Sequence, residues 1–238
     1  MAPGGVLAVG GLRGHRGHDS IWDSRNAMRT PTVLQLRCPG CGGALHGTPQ
    51  AVLFWCEDCG ALQEVVDGRF VARRVQAAQP RLPIGKPRGH LPLWAFRVRA
   101  DWFWPQGKAR ITRLWTAPDW VYVTAFALSN GFYFGDPGLI FTQKRVVLSP
   151  GASSPVVGGT RGLETAKVFV EPHLLSILDR REDVTGVELS CVVDEAVLWG
   201  IPYADDGTTL TDGILGLKLP GAALDEIGAL RGWWDRRR

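Results

Sequence analysis

CPGCGGALHGTPQAVLFWCEDCG, residues 38–60, carries two Cys-x-x-Cys pairs with fourteen residues between them, and each pair is followed at once by glycine. A Cys-x-x-Cys-Gly run can turn the chain tightly enough for two sulfurs to converge on one ion, and the glycine permits the backbone conformation that such a turn needs. One knuckle of this kind supplies half a tetrahedron. Two joined by a hairpin supply four thiolates, the closed geometry of structural zinc. The spacer is long enough for that hairpin, and its AVLFW run at 51–55 reads as a β-strand leading into the second knuckle. The expected ligand set is therefore Cys38, Cys41, Cys56 and Cys59 around one zinc ion. A redox reading of either pair is weaker. A thioredoxin-like pair wants a preceding strand and a following helix, whereas glycine-rich sequence follows the first pair here. Four thiolates also leave no open position for a catalytic water. His46 is expected on the hairpin surface rather than among the ligands.

These four cysteines, with Pro39, Gly42 and Gly60, resemble the zinc-ribbon class found in transcription factors, RNA polymerase subunits and ribosomal proteins. The resemblance is confined to residues 34–70 of the 238. It implies metal binding and no single function, because ribbons serve nucleic acids, proteins and pure architecture alike. So small a module holds little hydrophobic core, and zinc would contribute on the order of 10 kcal/mol to its folding. On that reading Cys56→Ser unfolds residues 34–70 and leaves the remainder of the chain folded.

Residues 1–33 run without pattern through Gly, Arg and His and are expected to be a disordered tail. Met28 is the only methionine besides Met1, so the native start is placed there as a hypothesis, which intact-mass measurement of the native protein decides. Residues 71–90 (VARRVQAAQPRLPIGKPRGH), rich in proline and arginine, read as an extended linker. From residue 91 to 238 the pattern is that of an α+β domain built mostly of antiparallel sheet with about two helices. Trp94, Phe96 and Val98 alternate with Ala95, Arg97 and Arg99, as in a half-buried strand. The apolar run 120–128 suits a central strand, Asn130-Gly131 a tight hairpin, and 138–148 a further strand. Glu171-Pro172 opens a helix, residues 186–201 hold one or two strands, Asp206-Gly207 marks a turn, a strand lies near 214–219, and a last helix begins at Pro220.

The second informative stretch is LPLWAFRVRADWFWPQGKARITRLW, residues 91–115, where aromatic and basic side chains interleave. That mixture fits single-stranded nucleic acid, whose bases stack and whose phosphates pair with cations. The same mixture suits an anionic membrane surface or an acidic protein patch. Trp102, Phe103 and Trp104 beside Pro105-Gln106-Gly107 read as an exposed loop, and with Arg110 and Arg113 they form the expected contact set. Arg97 and Arg99 read either as a solvated face or as partners of the acidic C-terminal half. The charge is indeed two-ended: eleven Lys/Arg face two acids between Asp67 and Arg113, while thirteen acids face four bases between Glu164 and Glu226. The two halves can neutralise each other within one chain or between chains, so self-association is open.

The chain carries no G-x-S-x-G elbow, no H-E-x-x-H run and no phosphate loop. Cys191 shares an apolar strand face with Val187, Leu189 and Val193 and reads as a small buried hydrophobe. Asp205-Asp206 and Asp212 fit a hairpin turn better than a calcium loop. No run of eighteen apolar residues occurs, and the knuckle spacing of four of the five cysteines points to a reducing cytoplasm. The expected function is a non-catalytic adaptor or assembly protein that docks a macromolecular partner. A nucleic-acid-binding ribbon protein is the alternative, and an enzyme with its site in the C-terminal domain comes third.

Overall fold

The computed structural model describes residues 34–85, 87–103, 117–128, 136–152, 156–180 and 184–221. Residues 34–221 belong to one compact unit. Strands β1 (Leu45–His46), β2 (Leu53–Cys56), β3 (Leu62–Val66) and β4 (Arg69–Arg73) form an antiparallel sheet in sequential order. β3 and β4 are joined by Asp67-Gly68, with φ of 49° and 72°, the positive pair of angles that a two-residue hairpin turn requires. Side chains alternate across this sheet. Phe54, Cys56 and Val65 turn towards Cys38, Leu45 and Phe70. Leu53, Trp55 and Leu62 turn the other way, into the main core.

The larger sheet contains β5 (Val75–Ala77), β6 (Gly89–Phe103), β7 (Trp120–Thr124), β8 (Glu188–Asp205), β9 (Thr209–Asp212) and β10 (Lys218–Pro220). Its order is β10-β9-β8-β6-β7, with β5 also on β8. The pairing of β6 with β8 runs from Gly89↔Tyr203 to Phe103↔Glu188 and breaks register once, at Arg97/Val98. All pairings in this sheet are antiparallel except β5 with β8, which matches Val75 to Leu198 in parallel. The stretch expected as a linker therefore contributes the end of β4, all of β5 and the first residues of β6. After leaving the small sheet at Arg73, the chain joins the large one at Val75.

Three helices are present among the described residues: α1 (Pro137–Gln143), α2 (Leu163–Lys167) and α3 (Val170–Asp179). The first replaces the strand expected over 138–148. Asp136 caps it, its side chain accepting from the Gly138 N–H at 2.7 Å, and Pro137 takes the first helical position. α3 matches the helix expected at Glu171-Pro172, with Pro172 in its first turn. β7, expected to be central, is an edge strand among the described residues. It is apolar on both faces because the sheet has a core on each side. Trp94, Phe96, Val121 and Val123 face one cluster, and Leu93, Ala95, Tyr122, Phe141 and Trp199 face the other. The helices also cover its outer edge. The Tyr122 N–H donates to Thr142 Oγ1 of α1 at 2.8 Å, and the Tyr122 carbonyl lies 3.0 Å from His173 Nδ1 of α3. α1 comes this close because residue 138 is glycine. A Cβ there would lie 2.5 Å from the Tyr122 carbonyl oxygen.

Trp102 and Phe103, expected in a loop, are the last two residues of β6, paired with Leu189 and Glu188. The strand near 214–219 is shorter than expected, starting at Lys218 after a turn. Pro220, expected to open the last helix, closes β10. The N-terminal tail, the Asn130-Gly131 hairpin, Trp104, Arg110, Arg113 and the rest of the expected last helix lie outside the described residues.

Candidate metal centre

The two knuckles are built alike. The Gly42 N–H donates to the Cys38 carbonyl at 2.8 Å, and the Cys38 N–H donates to the Gly43 carbonyl at 2.8 Å. In the second, the Gly60 N–H donates to the Cys56 carbonyl at 3.0 Å, and the Cys56 N–H donates to the Ala61 carbonyl at 2.9 Å. Both turns close through a glycine in the left-handed region, with φ of 76° at Gly42 and 70° at Gly60. Each knuckle presents one buried cysteine, Cys38 or Cys56, and one exposed one, Cys41 or Cys59. The sheet brings the knuckles together. β1 follows the first, β2 runs into the second, and Leu45 pairs with Cys56.

All four Sγ atoms lie within 4.8 Å of one another. Cys38 to Cys59 is 3.7 Å and Cys41 to Cys56 is 3.4 Å. A tetrahedron of sulfurs bonded at about 2.3 Å to a central ion has edges of about 3.8 Å, so the set could hold one metal ion and is consistent with a zinc-binding site. The thiols also constrain one another electrostatically. Burial works upward on Cys38, but hydrogen bonds from the Cys41 and Gly40 backbone and from neighbouring thiols outweigh it and leave the thiol lowered to about 7. The Gly43 backbone works downward on Cys41, but the sulfurs of Cys56, Cys59 and Cys38 outweigh it and push the group up to about 12. Burial raises Cys56 as well. A cation between the four sulfurs would favour their thiolate forms and offset their mutual repulsion.

Gln63, buried on β3, sends its side-chain amide towards Cys38 Sγ at 3.9 Å, and Arg37 donates to the Gly42 carbonyl at 3.2 Å. His46 sits as expected on the hairpin, away from the sulfurs. Its Nε2 lies 2.8 Å from Glu57 Oε2, and its ring stacks on Trp55 at 4.9 Å.

Beyond the register break, β6 and β8 continue as an arm that is two-stranded among the described residues. Val98, Ala100 and Trp102 of β6 and Leu189, Cys191 and Val193 of β8 turn towards the main core. Arg97, Arg99, Asp101, Phe103 and Val192 are on the other face. Of the two expected contacts within the described residues, Trp102 is thus half-buried and Phe103 is 59% exposed. The Arg99 guanidinium grips Asp194 through two hydrogen bonds of 2.7 Å, and this contact holds the Asp194 carboxyl below the usual range. Arg97 faces Glu195 in register. Cys191 is half-buried against the core, and burial pushes its thiol up, with Glu171 adding to the effect.

A second polar cluster, invisible in the sequence, lies beside β7. Asp136 Oδ2 accepts from Arg161 at 2.8 Å and from the Thr124 hydroxyl at 3.0 Å, and lies 4.0 Å from His173 Nε2. Arg161 stacks over the Phe169 ring at 4.6 Å. Burial holds the His173 imidazole below its ordinary pKa, with Asp136 opposing. These groups tie α1, β7, α3 and the 156–162 segment together, and each is used in that tie. The acidic pairs Asp194-Glu195 and Asp205-Asp206 lie apart along the chain. Asp194 serves Arg99, and Asp206 caps the β8–β9 turn through the Thr208 and Thr209 N–H groups. About eleven strand residues at roughly 3.3 Å each separate them along β8. Among the described residues, no helix is long and apolar enough to cross a membrane.

Compared with family models, curated proteins and solved structures, the chain finds no match in any of the three. The functional reading therefore rests on the geometry of its own residues.

Proposed function

We propose that the protein is a non-catalytic zinc-ribbon adaptor or assembly component that docks a protein partner. The observation that carries the reading is the convergence of Cys38, Cys41, Cys56 and Cys59 within 4.8 Å. Zinc is the ion that a closed four-thiolate tetrahedron fits best, and there it acts as a crosslink with no open coordination position. Two further observations favour a protein partner over nucleic acid. Arg99 is committed to Asp194, and Arg97 faces Glu195, so the basic strand is neutralised by its neighbour. Phe103 and Val192 stand exposed on the same arm, at 59% and 51%, and offer apolar contact. Trp104, Arg110 and Arg113 extend the proposed contact set with Phe103.

Metal analysis should give one zinc per chain. Fluorescence anisotropy of the zinc-loaded protein with labelled single-stranded DNA and RNA should show no salt-dependent binding. Each phosphate contact on a single strand contributes a log–log salt slope of about −0.7. A slope of about −3 or steeper, abolished by reversing Arg110 and Arg113, would replace the adaptor reading with nucleic-acid binding.

A further inference from the structure

A half-open groove of about 360 Å³ lies where the four-stranded sheet meets the start of α2. Val52 and Val66 line it with apolar surface, while Asp67 at the β3–β4 turn and Glu164 and Thr165 of α2 bring polar groups to it. Glu64 and Arg73 also line the groove, but they are already committed. Arg73 Nε donates to Glu64 Oε2 at 2.6 Å, and the Leu163 N–H donates to Glu64 Oε1 at 2.9 Å. Gly162 packs directly on that carboxylate, where a Cβ would collide with it. The acids left to the groove are then Asp67 and Glu164, both on exposed residues, and Glu164 pairs at the surface with Lys167 at 2.8 Å.

Valine surface and acidic side chains lining one groove match a side chain with a long aliphatic stem and a cationic head. The stem covers valine surface while the head stays hydrated beside the acids. A phosphate or another carboxylate would meet repulsion from Asp67, which has no ion pair among the described residues, and an apolar ligand would leave that charge unanswered while Glu164 shares Lys167. We propose that this groove receives a lysine or arginine side chain from an extended, basic segment of a protein partner, which deepens the docking function proposed above and rests on it.

The test uses the full-length, zinc-loaded protein and a fluorescein-labelled octapeptide of alternating arginine and alanine, blocked at both ends, at low salt. The expected result is saturable binding that weakens about fivefold in the Asp67→Asn/Glu164→Gln double variant, the loss of two partly exposed ion pairs. An Asp205→Asn/Asp206→Asn variant, altered at acids on the β8–β9 turn, should bind as wild type. Circular dichroism of both variants controls for folding. Equal weakening in the two variants would mean diffuse attraction to acidic surface and would overturn the proposal. Binding untouched by the groove variant would also overturn it while leaving the docking function standing. No binding of the basic peptide, or preference for a glutamate–alanine peptide, would overturn it outright.

Discussion

Stripping the cysteine cluster of a bound metal should loosen far more than the small sheet around it. Cys56 ends β2, and the same strand sends Leu53 and Trp55 into the main core beside Leu62 of β3. These three side chains are 0%, 2% and 1% exposed. Full burial of a large apolar side chain contributes about 1.5–3 kcal/mol, so about 5–9 kcal/mol of core packing passes through the small sheet. The net stability of a typical domain is about 5–15 kcal/mol. Removing the metal, itself worth on the order of 10 kcal/mol at such sites, should therefore release both sheets together. Amide hydrogen exchange read by mass spectrometry resolves the question, with wild type compared before and after chelation and with Cys56→Ser. Exchange should rise at 93–96 and 121–123 in the larger sheet as well as at 45–66. If the rise is confined to residues 34–73 while β6 and β7 stay protected, the shared core does not couple the sheets, and the independence expected from the sequence is restored.

Gly138→Ala should lower stability by about 1–3 kcal/mol, the usual range for overpacking, because the added Cβ meets the Tyr122 carbonyl and Val123 Cα; denaturant titration measures it. His90 is held down to about 4 by burial, so between about pH 6.5 and 4 the unfolded chain takes up a proton that the folded one refuses. Stability should fall with pH across that window by up to about 3 kcal/mol, and urea midpoints of His90→Gln should lose that part of the slope.

The cysteine cluster was readable because its information is local. Two short turns with fixed spacing and glycine at the required position specify which thiols converge, whatever lies around them. The alternation of Trp94, Phe96 and Val98 was readable for the same reason, since a strand face needs only its own period. Long-range pairing left no such trace. Val75–Ala77 is a strand because β8 lies alongside it, more than a hundred residues later, and its proline- and arginine-rich surroundings pointed to a linker instead. The run PGLIFTQ has no period that separates a strand from a short helix. The deciding signal was the cap, Asp136 before Pro137, which a reading that began at Gly138 passes over. Trp102 and Phe103 carry strand-compatible side chains, but the following Pro105-Gln106-Gly107 suggested a loop. The tie among Asp136, Arg161 and His173 joins three distant segments, so its partners could be named only with the fold in hand.

The helices over β7 also bear on how the protein behaves when it is strained. At Tyr122 the outward N–H and carbonyl of the edge are occupied by side chains, Thr142 and His173, and not by another strand. Side chains from two short helices withdraw more readily than a neighbouring strand would. Once withdrawn, they bare an extended backbone flanked by Val121 and Val123, which can take up a strand from another molecule. Mild heating, or any substitution that loosens α1 or α3, should then appear as concentration-dependent clumping well before the β6–β8 pair separates, and the usable storage concentration of this protein would be set by its helices rather than by its sheet.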